Sequence, residues 1–189
     1  MNASQPLLEA TELSAGYEGP VAGPLSFTVS PGEVLVLSGP NGSGKSTLLA
    51  AVLGTARIFS GDCRLGPGVE LAWQCQQDTL PGEFPMTGRE LLALNGGGPE
   101  QLPPALRSVA DRRLDRLSGG QRQLMRVWAA IASPASLLLL DEPTNSLDPD
   151  TASLLRDYLC SLPPHRGVVL VCHEPDFVRQ VAHRVLEVA

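Results

Sequence analysis

The chain holds 189 residues, 43% of them hydrophobic and 18% charged. That is one ordinary domain's length with enough apolar matter for a buried core, which excludes a disordered tail or a fibrous chain. Its formal charge of −6 lacks the footprint of a nucleic-acid binder and gives an anionic lipid surface nothing to attract.

The elements follow in chain order. Residues 7–13 read as a strand running into Ala15, Gly16 and Tyr17, and residues 25–29 alternate as a second strand before a turn at Ser30, Pro31 and Gly32. Residues 33–38 are a nearly continuous apolar run, the pattern of a strand buried on both faces. A helix opens near Lys45, carries Leu48, Leu49, Val52 and Leu53 at helical spacing, and ends at Gly54. Residues 69–73 predict another strand. Thr87 and Glu90 have capping-box spacing and open a short helix through Leu94, which Asn95 to Pro99 breaks. A second short helix is expected over residues 100–109. Ser118 and Gln121 form another capping box, opening a helix to about Ala132. Residues 137–140 return to the buried-strand pattern and end at Asp141. Asp148 and Pro149 start a helix through Leu162; a strand at 168–172, a helix at 175–182 and a last strand at 184–188 complete the chain. Buried strands alternating with helices imply an α/β fold, with a mainly parallel sheet and helices on both faces. The core is expected over residues 1–77 and 134–189, with a strandless helical insertion over 78–133.

No apolar run approaches the roughly 20 residues of a membrane-spanning helix. The N-terminal residues carry neither a basic nor an apolar leader pattern, which argues against secretion. Cys63, Cys75, Cys160 and Cys172 form no C-x-x-C pair and read as reduced thiols.

Three segments carry chemistry. Gly39-Pro40-Asn41-Gly42-Ser43-Gly44-Lys45-Ser46-Thr47 matches G-x-x-x-x-G-K-[ST] between a strand and a helix. Phosphates need close backbone N–H donors, which glycines expose, and the positive end of a helix. Lys45 adds a point charge for the β- and γ-phosphates, and Ser46 a hydroxyl for Mg²⁺. Of 14 basic residues Lys45 is the one lysine, and it stands where such a loop needs it. The second segment, Leu137 to Glu142, sets two acids at a strand end, expected beside the strand that feeds the phosphate loop. There Asp141 can hold Mg²⁺ and Glu142 can polarise a water. In the third, Leu117-Ser118-Gly119-Gly120-Gln121, two glycines behind a serine cap make a second anion-facing helix start, which suggests nucleotide shared between two chains.

Over nearly its whole length the sequence resembles the nucleotide-binding subunit of an ATP-binding cassette (ABC) transporter. Gly39 to Thr47 resembles the Walker A motif, Leu137 to Glu142 Walker B, and Leu117 to Gln121 the signature motif. Ser146-Leu147-Asp148 resembles the D-loop and His173 the switch histidine. Tyr17 falls where the family stacks an aromatic on adenine. Gln76 best matches the Q-loop glutamine, with Gln74 and Gln77 beside it.

The resemblance implies a RecA-like P-loop NTPase core, an antiparallel β layer and a short helical insertion. ATP and Mg²⁺ would be the cofactors. Glu142 would be the general base, with His173 and Lys45 on the γ-phosphate. Gly39, Asn41, Gly42, Gly44, Lys45, Ser46 and Thr47 would cradle the phosphates, and Ser46, Gln76 and Asp141 would hold the metal. Two chains, in a homodimer, would pack head to tail, so that Ser118, Gly119, Gly120 and Gln121, with Asp148, complete the partner's nucleotide site. Membrane-spanning subunits would be separate chains. This one would be peripheral on the cytoplasmic face of the inner membrane, with no lipid insertion and no nucleic acid. The sequence departs from the family pattern at Leu124 and Ala129, where members often carry arginines; Arg126 is the expected substitute anchor for the helix. The short insertion and the end at Ala189 suggest a minimal cassette.

The segment from Phe84 to Leu92 after Gln76 and Gln77 is similar to subunits of zinc, manganese, siderophore and cobalamin importers. The favoured reading is therefore an ATPase powering import of a metal ion or chelate. The alternatives are a small exporter ATPase and a soluble ABC-type ATPase in cofactor assembly. A degenerate cassette that binds but does not hydrolyse is disfavoured, because Lys45, Asp141, Glu142 and His173 are all present.

Overall fold

The computed structural model describes residues 5–74 and 85–189. Its strands are β1 (Leu8–Gly16), β2 (Pro20–Val29), β3 (Val34–Ser38), β4 (Arg57–Leu65), β5 (Leu71–Gln74), β6 (Leu137–Asp141), β7 (Gly167–Val171) and β8 (Arg184–Glu187). Its helices are α1 (Lys45–Val52), α2 (Gly88–Leu94), α3 (Pro104–Arg107), α4 (Gly119–Ala132), α5 (Pro149–Cys160) and α6 (Pro175–Val181). One sheet is antiparallel, in the order β2-β1-β4, and the other parallel, in the order β5-β6-β7-β3-β8.

Successive side chains of a strand point to opposite faces, and here both faces of the central strands are apolar. Val34, Val36, Leu138, Leu140, Val168 and Leu170 enter one core with α4, α5, α6 and the insertion. Leu35, Leu37, Leu137, Leu139, Val169 and Val171 enter a second core with α1 and with Leu8, Leu13, Phe27 and Val29 of the antiparallel sheet. Helices thus lie on both faces, as expected, and on the second face α1 shares the cover with the antiparallel sheet.

Three local expectations are corrected. The strand β4 is absent from the sequence reading, because most of its residues are exposed and its place is set by pairing with β1. The helix expected at 100–109 is interrupted: Pro99–Gln101 form one 3₁₀ turn, and Pro103, extended at ψ 153, precedes α3. A residue before proline is pushed out of the α region, so Pro104 forces that break. The strand β6 does not lie beside β3; β7 runs between them. Both capping boxes form as expected, at Thr87 with Glu90 and at Ser118 with Gln121.

Within the insertion, the described residues ahead of α4 are held onto that helix by an apolar interface in which Leu92, Leu102, Leu106 and Leu114 share a cluster with Leu124, Met125 and Trp128. Leu124 and Ala129 are both buried, so apolar packing stands where the resemblance led one to expect arginine. The far end of α4 is anchored by Arg166, which donates to the Ile131 and Ser133 carbonyls and to the Tyr158 hydroxyl. A cation at a helix C-terminus also meets the negative end of the helix dipole.

Candidate functional site

The loop between β3 and α1 turns on glycines that no other residue can replace. Gly44 caps α1 at φ 87, and a Cβ there would lie 2.4 Å from the Ala22 Cβ. Gly39 has φ 146 and would put a Cβ 2.1 Å from the Val188 carbonyl oxygen. Both need the left-handed freedom of glycine and its lack of a side chain. The loop curls round Lys45, whose Nζ donates to the Gly39 and Pro40 carbonyls at 3.0 and 2.7 Å.

Above it opens a cavity of about 560 Å³, lined by Asn41, Gly42, Gly44, Lys45, Ser46 and Thr47 from this loop. Glu142, Asn145, Val171, His173 and Glu174 line it from the ends of β6 and β7, and Val21 from β2. Loops, strand ends and a helix start thus converge at the carboxyl end of a parallel sheet, where such folds bind ligands.

Asp141 ends β6, is 3% exposed, and keeps its Oδ1 buried without a hydrogen-bond partner. Burial raises its pKa, and the Ser46 hydroxyl, Lys45 and His173 act against that. A buried, unsatisfied carboxylate oxygen beside a serine hydroxyl is a hard-oxygen pair that fits Mg²⁺.

Glu142 follows in a left-handed conformation, φ 49, which is uncommon for a side-chain-bearing residue. Its Oε1 lies 2.8 Å from His173 Nε2. Burial first, and then the charge of Asp141, push its carboxyl up to about 7, with Lys45 working the other way. The His173 pKa is lowered by burial and by Lys45. A carboxyl titrating near neutrality, against an imidazole kept neutral, is suited to accept a proton from water.

The shift has a consequence for stability. The Glu142 carboxyl ionises near 4.5 in the unfolded chain and about 7 in the folded one. Between those values the folded state holds the extra proton, so stability is lost as pH rises through that window. Glu142→Gln cannot ionise. In magnesium-free buffer at about pH 8 it is expected to be more stable than the native chain by about 2 kcal/mol, a gain of several degrees in melting temperature. Near pH 4.5 the two melts should coincide; equal melts at both pH values would show that Glu142 is not held neutral.

Other expected residues stand apart from this cavity. Ser118 and Gly119 are exposed at the start of α4, where the Ser118 Oγ accepts from the Gln121 N–H and the Gln121 side chain accepts from the Ser118 N–H. Neither these nor Gly120 line the cavity. Asp148 caps α5, its carboxylate accepting from the Thr151 N–H and hydroxyl at 2.8 and 2.9 Å, and those bonds lower its pKa. Tyr17 is 62% exposed in the turn after β1, close in sequence to the lining residue Val21. Gly39 contributes a carbonyl to Lys45 rather than a wall of the cavity. Gln76 lies outside the described residues. The lining residues Val21, Asn145, Val171 and Glu174 are not among the site residues expected from the sequence; of these Asn145, beside the D-loop-like Ser146-Leu147-Asp148 and three residues after Glu142 in a turn, carried a local signal.

A family model described as ABC transporter matches residues 22–81 and 100–145. The chain is 30% identical to the zinc import ATP-binding protein ZnuC of Marinobacter nauticus, over 97% of this chain and 74% of that protein. It is 38% identical to the ZnuC of Paracoccus denitrificans, over 76% of this chain and 59% of that protein. A solved ATP-binding subunit of an ABC transporter shares the fold with a TM-score of 0.82 at 25% identity, over 96% of this chain and 85% of the other.

Proposed function

Because the chain belongs to the ABC transporter family, we propose that it is an ATP-binding and ATP-hydrolysing subunit that powers import of a metal ion or metal chelate through separate membrane-spanning chains. The observation that carries the ATPase part is the convergence of Lys45, Ser46, Glu142 and His173 on one cavity, with Asp141 buried behind them. The import part is supported by the relatives, which are named for zinc import.

In this reading the loop N–H groups and the start of α1 receive the β- and γ-phosphates, and Lys45 offsets their charge. Asn41, Gly42, Gly44 and Thr47 shape the cradle, Gly39 holds Lys45 in place, and Tyr17 stacks on the adenine. Ser46, Asp141 and Gln76 would hold Mg²⁺, which when bound would offset negative charge on the phosphates. A Glu142 carboxylate oxygen takes the proton of the attacking water, and His173 Nε2 faces that water and the γ-phosphate. Ser118, Gly119, Gly120 and Gln121 are offered outward to nucleotide on a second copy, with Asp148 at the same interface. Among the described residues no helix is long and apolar enough to cross a membrane; in this reading the membrane-spanning partners hold the chain at the bilayer.

The test is affinity capture of tagged Glu142→Gln from native membranes in ATP, with partners identified by mass spectrometry. A multi-span membrane protein at stoichiometric level, together with a metal-binding protein, is the expected result. Recovery of soluble partners alone would overturn the transporter reading in favour of a soluble ABC-type ATPase, and a membrane protein whose vesicles expel substrate would overturn import.

A further inference from the structure

The turn after β6 is gripped from one side by α4. At its near end the Nε2 of Gln123, a residue only 8% exposed, donates to the Glu142 and Pro143 carbonyls, each at 3.4 Å. At its far end the Ser146 carbonyl oxygen sits 2.9 Å from where a Cβ on Gly120 would stand, so any larger residue would push the turn away. The chain between these points begins with the left-handed Glu142 and includes the left-handed Ser146. A non-glycine residue stays in that conformation only when its surroundings over-determine it. Here the surroundings are a buried amide and a helix start in van der Waals contact.

We propose that Gln123 is a positioning residue: by holding the Glu142 and Pro143 carbonyls it fixes the left-handed turn that aims the Glu142 carboxylate at His173. This rests on the reading of Glu142 as the base. It also ties the turn that carries the base to the helix whose exposed start is Ser118, through Gln123 on that helix, so a displacement of α4 moves both. Nothing in the phosphate loop depends on Gln123, since Lys45 is held by Gly39 and Pro40. Loss of the amide should therefore disturb the chemical step and spare nucleotide binding.

The test is steady-state ATP hydrolysis by Gln123→Met, which keeps length and burial but has no donor. kcat is expected to fall about tenfold with KM for ATP within about twofold. Gln123→Leu, apolar and without a donor, should show the same split and serves if the methionine variant does not fold. In a Glu142→Gln background, Gln123→Met should cause no further loss, because the two act as a unit. If Glu142→Gln is inactive while both Gln123 variants keep native kcat, the inference about Gln123 falls alone. A rise in KM at unchanged kcat, or an additive loss in the double variant, would overturn it equally. If Glu142→Gln itself turns over normally, the base reading fails first.

Discussion

Turnover by Glu142→Gln is expected to fall about 10²- to 10⁴-fold while ATP still binds. The amide occupies the carboxylate's volume, so the 2.8 Å approach to His173 and the left-handed backbone can persist. What it cannot do is accept a proton. Asp141 is buried at the strand end, with Ser46 facing it. Phosphate release under saturating ATP, beside a nucleotide-binding titration, separates the two effects. Native turnover in this variant would remove Glu142 as the base.

Ser118→Arg should bind ATP as the native chain does and lose turnover by about 10²-fold. Ser118 is exposed and outside the cavity, and a Cβ at the neighbouring Gly119 would meet nothing within 4 Å. An arginine there has room within its own chain. Its direct cost is a lost helix cap, about 1 kcal/mol, which the melting temperature would report. The large loss arises only if that helix start faces a second chain's nucleotide. A mixing experiment is decisive. Pairing Ser118→Arg chains with Glu142→Gln chains leaves one composite site with a native base and a native helix start, so hydrolysis should reappear although each variant alone is inactive. No recovery would mean that Ser118 acts within its own chain.

How far the sequence disclosed this arrangement depended on the range of the interactions involved. The phosphate loop, the two capping boxes and the buried strands β3, β6 and β7 are written in neighbouring residues, and the structure has them where the pattern put them. The strand β4 was not legible: Arg57, Ser60, Gly61, Asp62 and Arg64 carry little strand signal, and β1 recruits them from more than 40 residues away. Strand order was equally hidden. That β7 separates β6 from β3 is a property of the assembled sheet, so Asp141 reaches Ser46 across an intervening strand rather than from an adjacent one. Gln123 has no signal of its own in the sequence, and only the turn packed against it gives it a hold on Glu142. For the positions 124 and 129 without arginine the sequence offered only Arg126 as an anchor; Arg166, 33 residues beyond Ser133, holds the far end of the helix and could not be read from its neighbours.

The solitary lysine has a practical corollary. Every other basic side chain but histidine is an arginine, so Lys45 and the α-amino group are the only amines in the chain. Lys45 is 5% exposed and folded back on its own loop. An acylating reagent selective for amines thus meets a protein whose surface is nearly silent to it and whose single interior target sits in the phosphate cradle. The mass added at Lys45 would count open cradles against filled ones, a reporter of occupancy that needs no label and no engineered residue.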